Sequence, residues 1–89
     1  MNEHVKIDIH FQDFDGNYYA EISNTNLSKE EVKIISLQLE DAGYEVSTEI
    51  DIIATKSADE TELFLVESDV IHILNNLDLM YNLKEQGLG

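Results

Sequence analysis

The chain contains no cysteine and no arginine, and its few basic residues are five lysines. Without cysteine, neither a disulfide framework nor a thiolate zinc site nor a cysteine nucleophile is available. The shortage of positive charge is the larger bias, because 19 carboxylates give a formal net charge of -14. Folded domains of this size usually carry a net charge of about 2 to 8 in magnitude, since like charges on a small surface repel one another. The excess therefore indicates a role beyond solubility.

The lack of basic residues also excludes classes of partner. Phosphate backbones and anionic membrane surfaces are bound through lysine and arginine, so direct binding to nucleic acid or to a membrane is not expected. A basic protein would be attracted instead, with an association that weakens as salt rises. No stretch approaches about 18 apolar residues, and the first residues do not resemble a signal peptide, which predicts a cytoplasmic location.

One folded domain is expected over residues 1–89. A chain of 89 residues can hold one core and is too short for two. It is 43% hydrophobic, whereas acidic disordered tails carry few apolar residues.

Sequence periodicity predicts the first half of the fold. Strict alternation of apolar and polar residues over 4–12, turn residues at 13–17 and renewed alternation over 18–22 predict a β-hairpin. Ser28 and Glu31 have the spacing of a capping box, and Gly43 is placed to end a helix over residues 29–42.

The second half of the chain is predicted to repeat the order strand, strand, helix. Residues 44–54 alternate as a third strand, and residues 61–66 are apolar on both parities, as in a short fourth strand. Ser68 or Asp69 would cap a final helix that runs to about Gln86. Two such units predict an α+β two-layer sandwich of order ββαββα, with a four-stranded antiparallel sheet and two helices on one face.

The open face of this sheet is the first candidate binding surface. Alternate strand residues stand about 6.7 Å apart and neighbouring strands about 4.8 Å apart, which is comparable with the spacing of backbone phosphates. A basic groove that binds nucleic acid could accept such an array, although an open antiparallel face is polar in any case. The predicted array consists of Asp8, Glu21, Glu45, Glu49 and Asp51.

Surplus apolar residues on the helices form the second candidate surface. In the first helix, Ile34 and Leu37 lie opposite the core stripe and close to Glu30 and Asp41, so this set could anchor a partner. The final helix also has apolar residues outside its core face, which favours a homodimer, with burial inside a monomer or contact with a foreign partner as the alternatives. The predicted dimer interface is Ile71, Leu79, Met80 and Leu83.

Catalytic and metal-binding patterns are not found. Residues 13–17 place glycine fourth and lie between strands, unlike an EF-hand loop, and favour a plain turn. His4, Asp8 and His10 share one side of a single strand, whereas metal sites normally draw ligands from more than one element. No nucleophile motif surrounds the serines. We therefore expect no enzyme activity and no cofactor or bound metal.

Size and charge together predict a small acidic inhibitor that mimics nucleic acid. Its partner would be a basic DNA- or RNA-binding protein, and proteins of this kind are encoded by phages and mobile elements. An immunity protein for a basic nuclease toxin is one alternative. A dimeric interaction or assembly module without mimicry is the other.

Overall fold

The computed structural model describes residues 5–79 and the backbone of residues 81–84. The strands form one sheet of order β3-β4-β2-β1-β5, in which the first four pair antiparallel and β5 runs parallel to β1. The predicted α+β fold, with order ββαββα and a four-stranded antiparallel sheet, is confirmed, and β5 adds a fifth strand. The elements are β1 (Val5–Gln12), β2 (Asn17–Ile22), α1 (Lys29–Asp41), β3 (Glu45–Ser47), β4 (Ile52–Ser57), α2 (Leu63–Asn76) and β5 (Tyr81–Lys84).

Helix α1 has the predicted ends. The Glu31 amide donates to Ser28 Oγ at 3.1 Å, and the Ser28 amide donates to Glu31 Oε1 at 2.8 Å, which completes the capping box. At the other end Gly43 adopts a φ of 98°, in the left-handed region. The amides of Gly43 and Tyr44 then donate to Glu40 O and Leu39 O, which is the Schellman pattern.

Both helices pack on the face of the sheet that carries its alternating apolar residues. Helix α1 contacts β3 and β4, and α2 contacts β1 and β2. Burial of these side chains is the main favourable contribution to folding, at about 25 cal/mol per Å² of apolar surface. The largest fully buried side chains are Ile7, Ile22, Ile35, Leu39, Ile52, Leu74, Val5, Val66 and Val70.

The second half of the chain differs from the prediction in three places. The predicted strand over 44–54 is a hairpin, β3 and β4, with a turn at 48–51. Residues 61–66 do not form a strand, because Leu63 and Val66 belong to α2, and its N-cap is Glu62 rather than Ser68 or Asp69. The buried residues Val66, Val70 and Ile73 have helical spacing. Residues 63–66 therefore join one long amphipathic helix instead of forming a strand.

Helix α2 ends ten residues before the predicted end at Gln86. Asp78 adopts a φ of 57°, and the amides of Asp78 and Leu79 donate to Asn75 O and Leu74 O, so a second Schellman motif stops the helix after Asn76. Asparagine and aspartate tolerate this left-handed conformation better than most residues, which makes Asp78 a workable substitute for glycine. Residues 81–84 then pair with β1 as β5.

The topology gives the domain two distinct ends. One end, which we call the hairpin end, contains the turn between β1 and β2 at residues 13–16. It also contains the last residues of α1 and β4 and the first residues of α2. At the opposite end lie the start of α1, the 48–51 turn and the finish of α2. None of the helices in the described ranges is long and apolar enough to cross a membrane.

Candidate functional site

The open sheet face holds fewer of the predicted carboxylates than expected. Asp8 on β1 stands directly opposite Glu21 on β2, and both point away from the helices. Glu45 on β3 faces the same way but lies opposite Thr55 of β4. Because β4 separates it from β2, Glu45 is not adjacent to the Asp8 and Glu21 pair.

A histidine lies between the two adjacent acids. His10 Nδ1 is 3.7 Å from Asp8 Oδ1, and His10 Nε2 is 3.6 Å from Glu21 Oε2. The imidazole stacks on Tyr19, with ring centroids 5.7 Å apart, and the Tyr19 hydroxyl donates to Asp15 Oδ2. This hydrogen bond raises the pKa of Tyr19. The centre of the open face is therefore a mixed polar and aromatic surface rather than a row of carboxylates.

The two remaining acids of the predicted array lie outside the strands. Glu49 and Asp51 belong to the 48–51 turn at the opposite end. Asp51 Oδ1 accepts a hydrogen bond from the Asn24 amide at 3.4 Å, and the Asn24 side chain donates to Ile50 O. These bonds tie the turn to the segment before α1. The prediction that all five carboxylates form one array on the sheet face is wrong, because it required a single strand over 44–54.

The predicted set on α1 does share one exposed side. Glu30, Ile34, Leu37 and Asp41 follow one another at intervals of four, three and four residues, which aligns them along the helix. Ile34 is 38% and Leu37 54% exposed. A groove of ≈ 280 Å³ beside Leu37, between α1 and β3, includes Lys29 and Lys33 in its lining, so this side of the protein carries both signs of charge.

The predicted dimer residues do not share a helix. Ile71 is half-buried on α2, and Leu79 lies beyond the end of α2 and packs against the core. Met80 lies outside the described residues, and Leu83 is described only by its backbone, on β5. The premise of one continuous helical face is therefore wrong, and the homodimer itself stays a prediction.

The hairpin end concentrates negative charge that the sequence analysis did not locate. The contributing segments are the β1–β2 turn, the end of α1, the start of β3 and the connection into α2, and the Ala58 amide joins two of them by donating to Gly16 O at 2.9 Å. Eight carboxylates lie on these segments: Asp13, Asp15, Glu40, Asp41, Glu45, Asp59, Glu60 and Glu62.

Lys56 is the one lysine at this end among the residues with described side chains, and its ammonium group is hydrogen-bonded to the protein's own backbone. Its Nζ donates to Ala42 O at 2.9 Å and lies 4.9 Å from the centroid of the Tyr44 ring. The positive charge thereby compensates the negative end of the α1 dipole. At the opposite end, by contrast, Lys6, Lys29 and Lys33 accompany the acids.

The carboxylates that end α1 are placed against the helix dipole. Glu40 and Asp41 lie at its carboxyl end, where the dipole is negative, and its last turn contains no basic residue. Each such charge typically costs about 0.3–1 kcal/mol. The fold therefore does not benefit from these two charges.

Exposed apolar side chains accompany the acids at the hairpin end. Phe14 in the β1–β2 turn is 81% exposed, and the first turn of α2 contributes Leu63, Phe64 and Leu65 at 39%, 60% and 41%. We call these four residues the apolar patch because they lie at the same end of the domain, although the three on α2 are spread over about 200° of the helix surface. The prediction of a short strand over residues 61–66 does not reveal this patch. The helical spacing from Leu63 to Val66 and Val70 is the signal that would have revealed it.

A cleft of ≈ 580 Å³ separates the two helices near the hairpin end. Gln38, Asp41 and His72 are among the residues that line it. Beside it, the buried Tyr44 hydroxyl donates to Asp69 Oδ2 at 2.8 Å. Burial, together with this hydrogen bond, raises the pKa of Tyr44 well above its usual 10.0. Within the part of the chain that the structure describes, no three histidine or carboxylate side chains are grouped so that they could hold a metal ion.

Tyr44→Phe tests this hydrogen bond through pH. Above about pH 10 the unfolded tyrosine ionises while the folded one stays protonated, so the wild type should lose up to about 1.4 kcal/mol of stability per pH unit from this group. The variant should be about 1 kcal/mol less stable at neutral pH but lack this contribution. Urea unfolding at neutral and alkaline pH measures both. Parallel alkaline losses in the two proteins would contradict the assignment.

Comparison with protein-family models, with curated proteins and with solved structures gives no match for this chain.

Proposed function

We propose that this protein binds a basic nucleic-acid-binding protein and blocks the surface that would otherwise contact DNA or RNA. The observation that carries the proposal is the concentration of eight carboxylates around the hairpin end, where the Lys56 ammonium group is hydrogen-bonded to Ala42 O. Nucleic-acid-binding proteins present lysine and arginine to phosphates, and a dense set of carboxylates offers them the same sign of charge.

Electrostatic attraction would make association with such a partner fast. A one-signed surface raises association rates at low salt, and the effect falls as salt screens the charges. The mimicking surface in this proposal is the hairpin end. The sheet face is less suitable, because His10 lies between Asp8 and Glu21 and because Glu49 and Asp51 are at the other end.

The proposal is tested by competition. The protein is immobilised, a fraction enriched in nucleic-acid-binding proteins is passed over it, and bound proteins are eluted at constant ionic strength. Duplex DNA should release them, whereas polyglutamate at the same charge concentration should not. Release by both polymers would indicate general attraction between opposite charges, and retention of no basic protein would remove the proposal.

Two charge-reversed variants locate the surface. Asp59→Lys/Glu60→Lys acts at the hairpin end, and Glu30→Lys/Glu49→Lys makes the same change in net charge elsewhere. We expect the first to weaken binding of a released partner by about tenfold or more and to reduce its salt dependence, and the second to have a small effect. Equal losses would mean that net charge alone matters, and a larger loss in the second would favour the two surfaces predicted from sequence, to which Glu30 and Glu49 belong.

A further inference from the structure

Two residues of the apolar patch, Phe64 and Leu65, are not explained by packing against the core. Phe64 and Leu65 lie about 100° and 200° around α2 from Leu63, whereas the buried residues Val66 and Val70 lie within about 60° of it. The first turn of α2 also lacks the usual features of a helix start, because the Glu62 side chain makes no capping bond and no acidic residue follows it there. Three large apolar residues therefore begin a helix where polar ones would be favoured.

We propose that the apolar patch, Phe14 with Leu63, Phe64 and Leu65, docks against a nonpolar site on a basic protein. This inference rests on the proposed function and adds the contact that holds the complex together. Interfaces commonly place a polar rim around a desolvated apolar centre, and a few buried side chains at that centre supply most of the affinity.

The negative charge near the apolar patch indicates which kind of partner would bind there. Five carboxylates flank the patch residues in the sequence, on the β1–β2 turn and on the connection into α2. They are Asp13, Asp15, Asp59, Glu60 and Glu62. A second copy of this protein would bring the same carboxylates face to face and would be repelled. A partner that carries lysine and arginine around a nonpolar site would satisfy both the acids and the patch.

The two components of binding have different signatures. The acids should govern the association rate and its dependence on salt, whereas the apolar contact should govern the dissociation rate and persist at high salt. Loss of the patch is therefore distinguishable from loss of charge.

The test uses two synthetic peptides of equal length and equal lysine content. Lysine alternates with serine in one and with leucine in the other, and affinities are measured at physiological salt. The wild type should bind the lysine-leucine peptide about tenfold more tightly. Phe14→Ala/Phe64→Ala should lose this preference and keep the weaker affinity for the lysine-serine peptide. Ile50→Ala is the matched control, because Ile50 is 79% exposed at the opposite end, and it should keep the preference.

The outcomes separate the two proposals. Binding to neither peptide would contradict both of them. Equal binding to the two peptides, or a preference lost equally in Ile50→Ala, would overturn the docking role of the patch and leave the charge-based proposal standing. Amide chemical-shift changes in the wild type provide a readout that needs no variant. They should centre on residues 13–16 and 62–65, and changes centred elsewhere would overturn the inference.

Discussion

Replacing Leu39 with alanine is expected to lower the free energy of unfolding by about 3 kcal/mol. Leu39 is fully buried on the core side of α1. Truncating a buried leucine to alanine leaves a cavity and lowers the free energy of unfolding by about 2–5 kcal/mol. A domain of this size has a total stability of roughly 5–13 kcal/mol, so the loss is a large share of it. The thermal midpoint should fall by about 15 °C or more, as measured by circular dichroism.

Leu37→Ala is the matched control, because Leu37 lies on the same helix and is 54% exposed. Alanine and leucine have similar helix propensities, so the difference between the two variants isolates burial. The control should change stability by less than about 1 kcal/mol. Equal destabilisation by both substitutions would mean that α1 buries a different face.

Local sequence signals predicted the first half of the fold well. The hairpin follows from alternation, and α1 follows from Ser28, Glu31 and Gly43, whose capping interactions involve residues only a few positions apart. Such features are readable because the chain needs no distant partner to form them. Ile35 and Leu39 are buried, in agreement with the core stripe that was predicted opposite Ile34 and Leu37 from the helical spacing of the apolar residues.

The second half was harder because its decisive interactions are ambiguous or distant. Residues 61–66 are apolar on both parities, and a short apolar run is compatible with a buried strand or with a helix. The end of α2 depends on Asp78 in a left-handed conformation, which aspartate adopts too rarely to be predicted. Pairing of β5 with β1 joins opposite ends of the chain, so no local pattern indicates it.

The candidate site was located only by the topology. Its acids come from four separate segments that the order of strands and helices brings to one end. Composition showed how many carboxylates there are, but their grouping depends on where each strand turns. The sheet-face array was predicted from alternation over 44–54, and the turn at 48–51 removed Glu49 and Asp51 from it.

Glu40→Lys/Asp41→Lys should make the protein more stable and a weaker binder. Both residues are exposed at the negative end of the α1 dipole, so reversing their charge converts two unfavourable interactions into favourable ones. It also reduces repulsion among the carboxylates of the hairpin end. We expect a gain of about 1–2 kcal/mol at low salt, measured by urea unfolding, and a smaller gain as salt screens the charges.

The control is Glu30→Lys/Glu49→Lys, which changes net charge equally. Glu30 lies in the first turn of α1, where the dipole favours a negative charge, so relief of repulsion should be offset and little stability gained. Equal gains in the two variants would show that net charge alone limits stability, and no gain in either would show that the carboxylates are already well dispersed. If Glu40→Lys/Asp41→Lys alone gains stability and also loses binding to the basic partner, then these two acids lower the stability of the fold and contribute to binding. Such a trade is expected of residues that serve a partner, because a surface selected only for folding would not place two carboxylates at the end of α1.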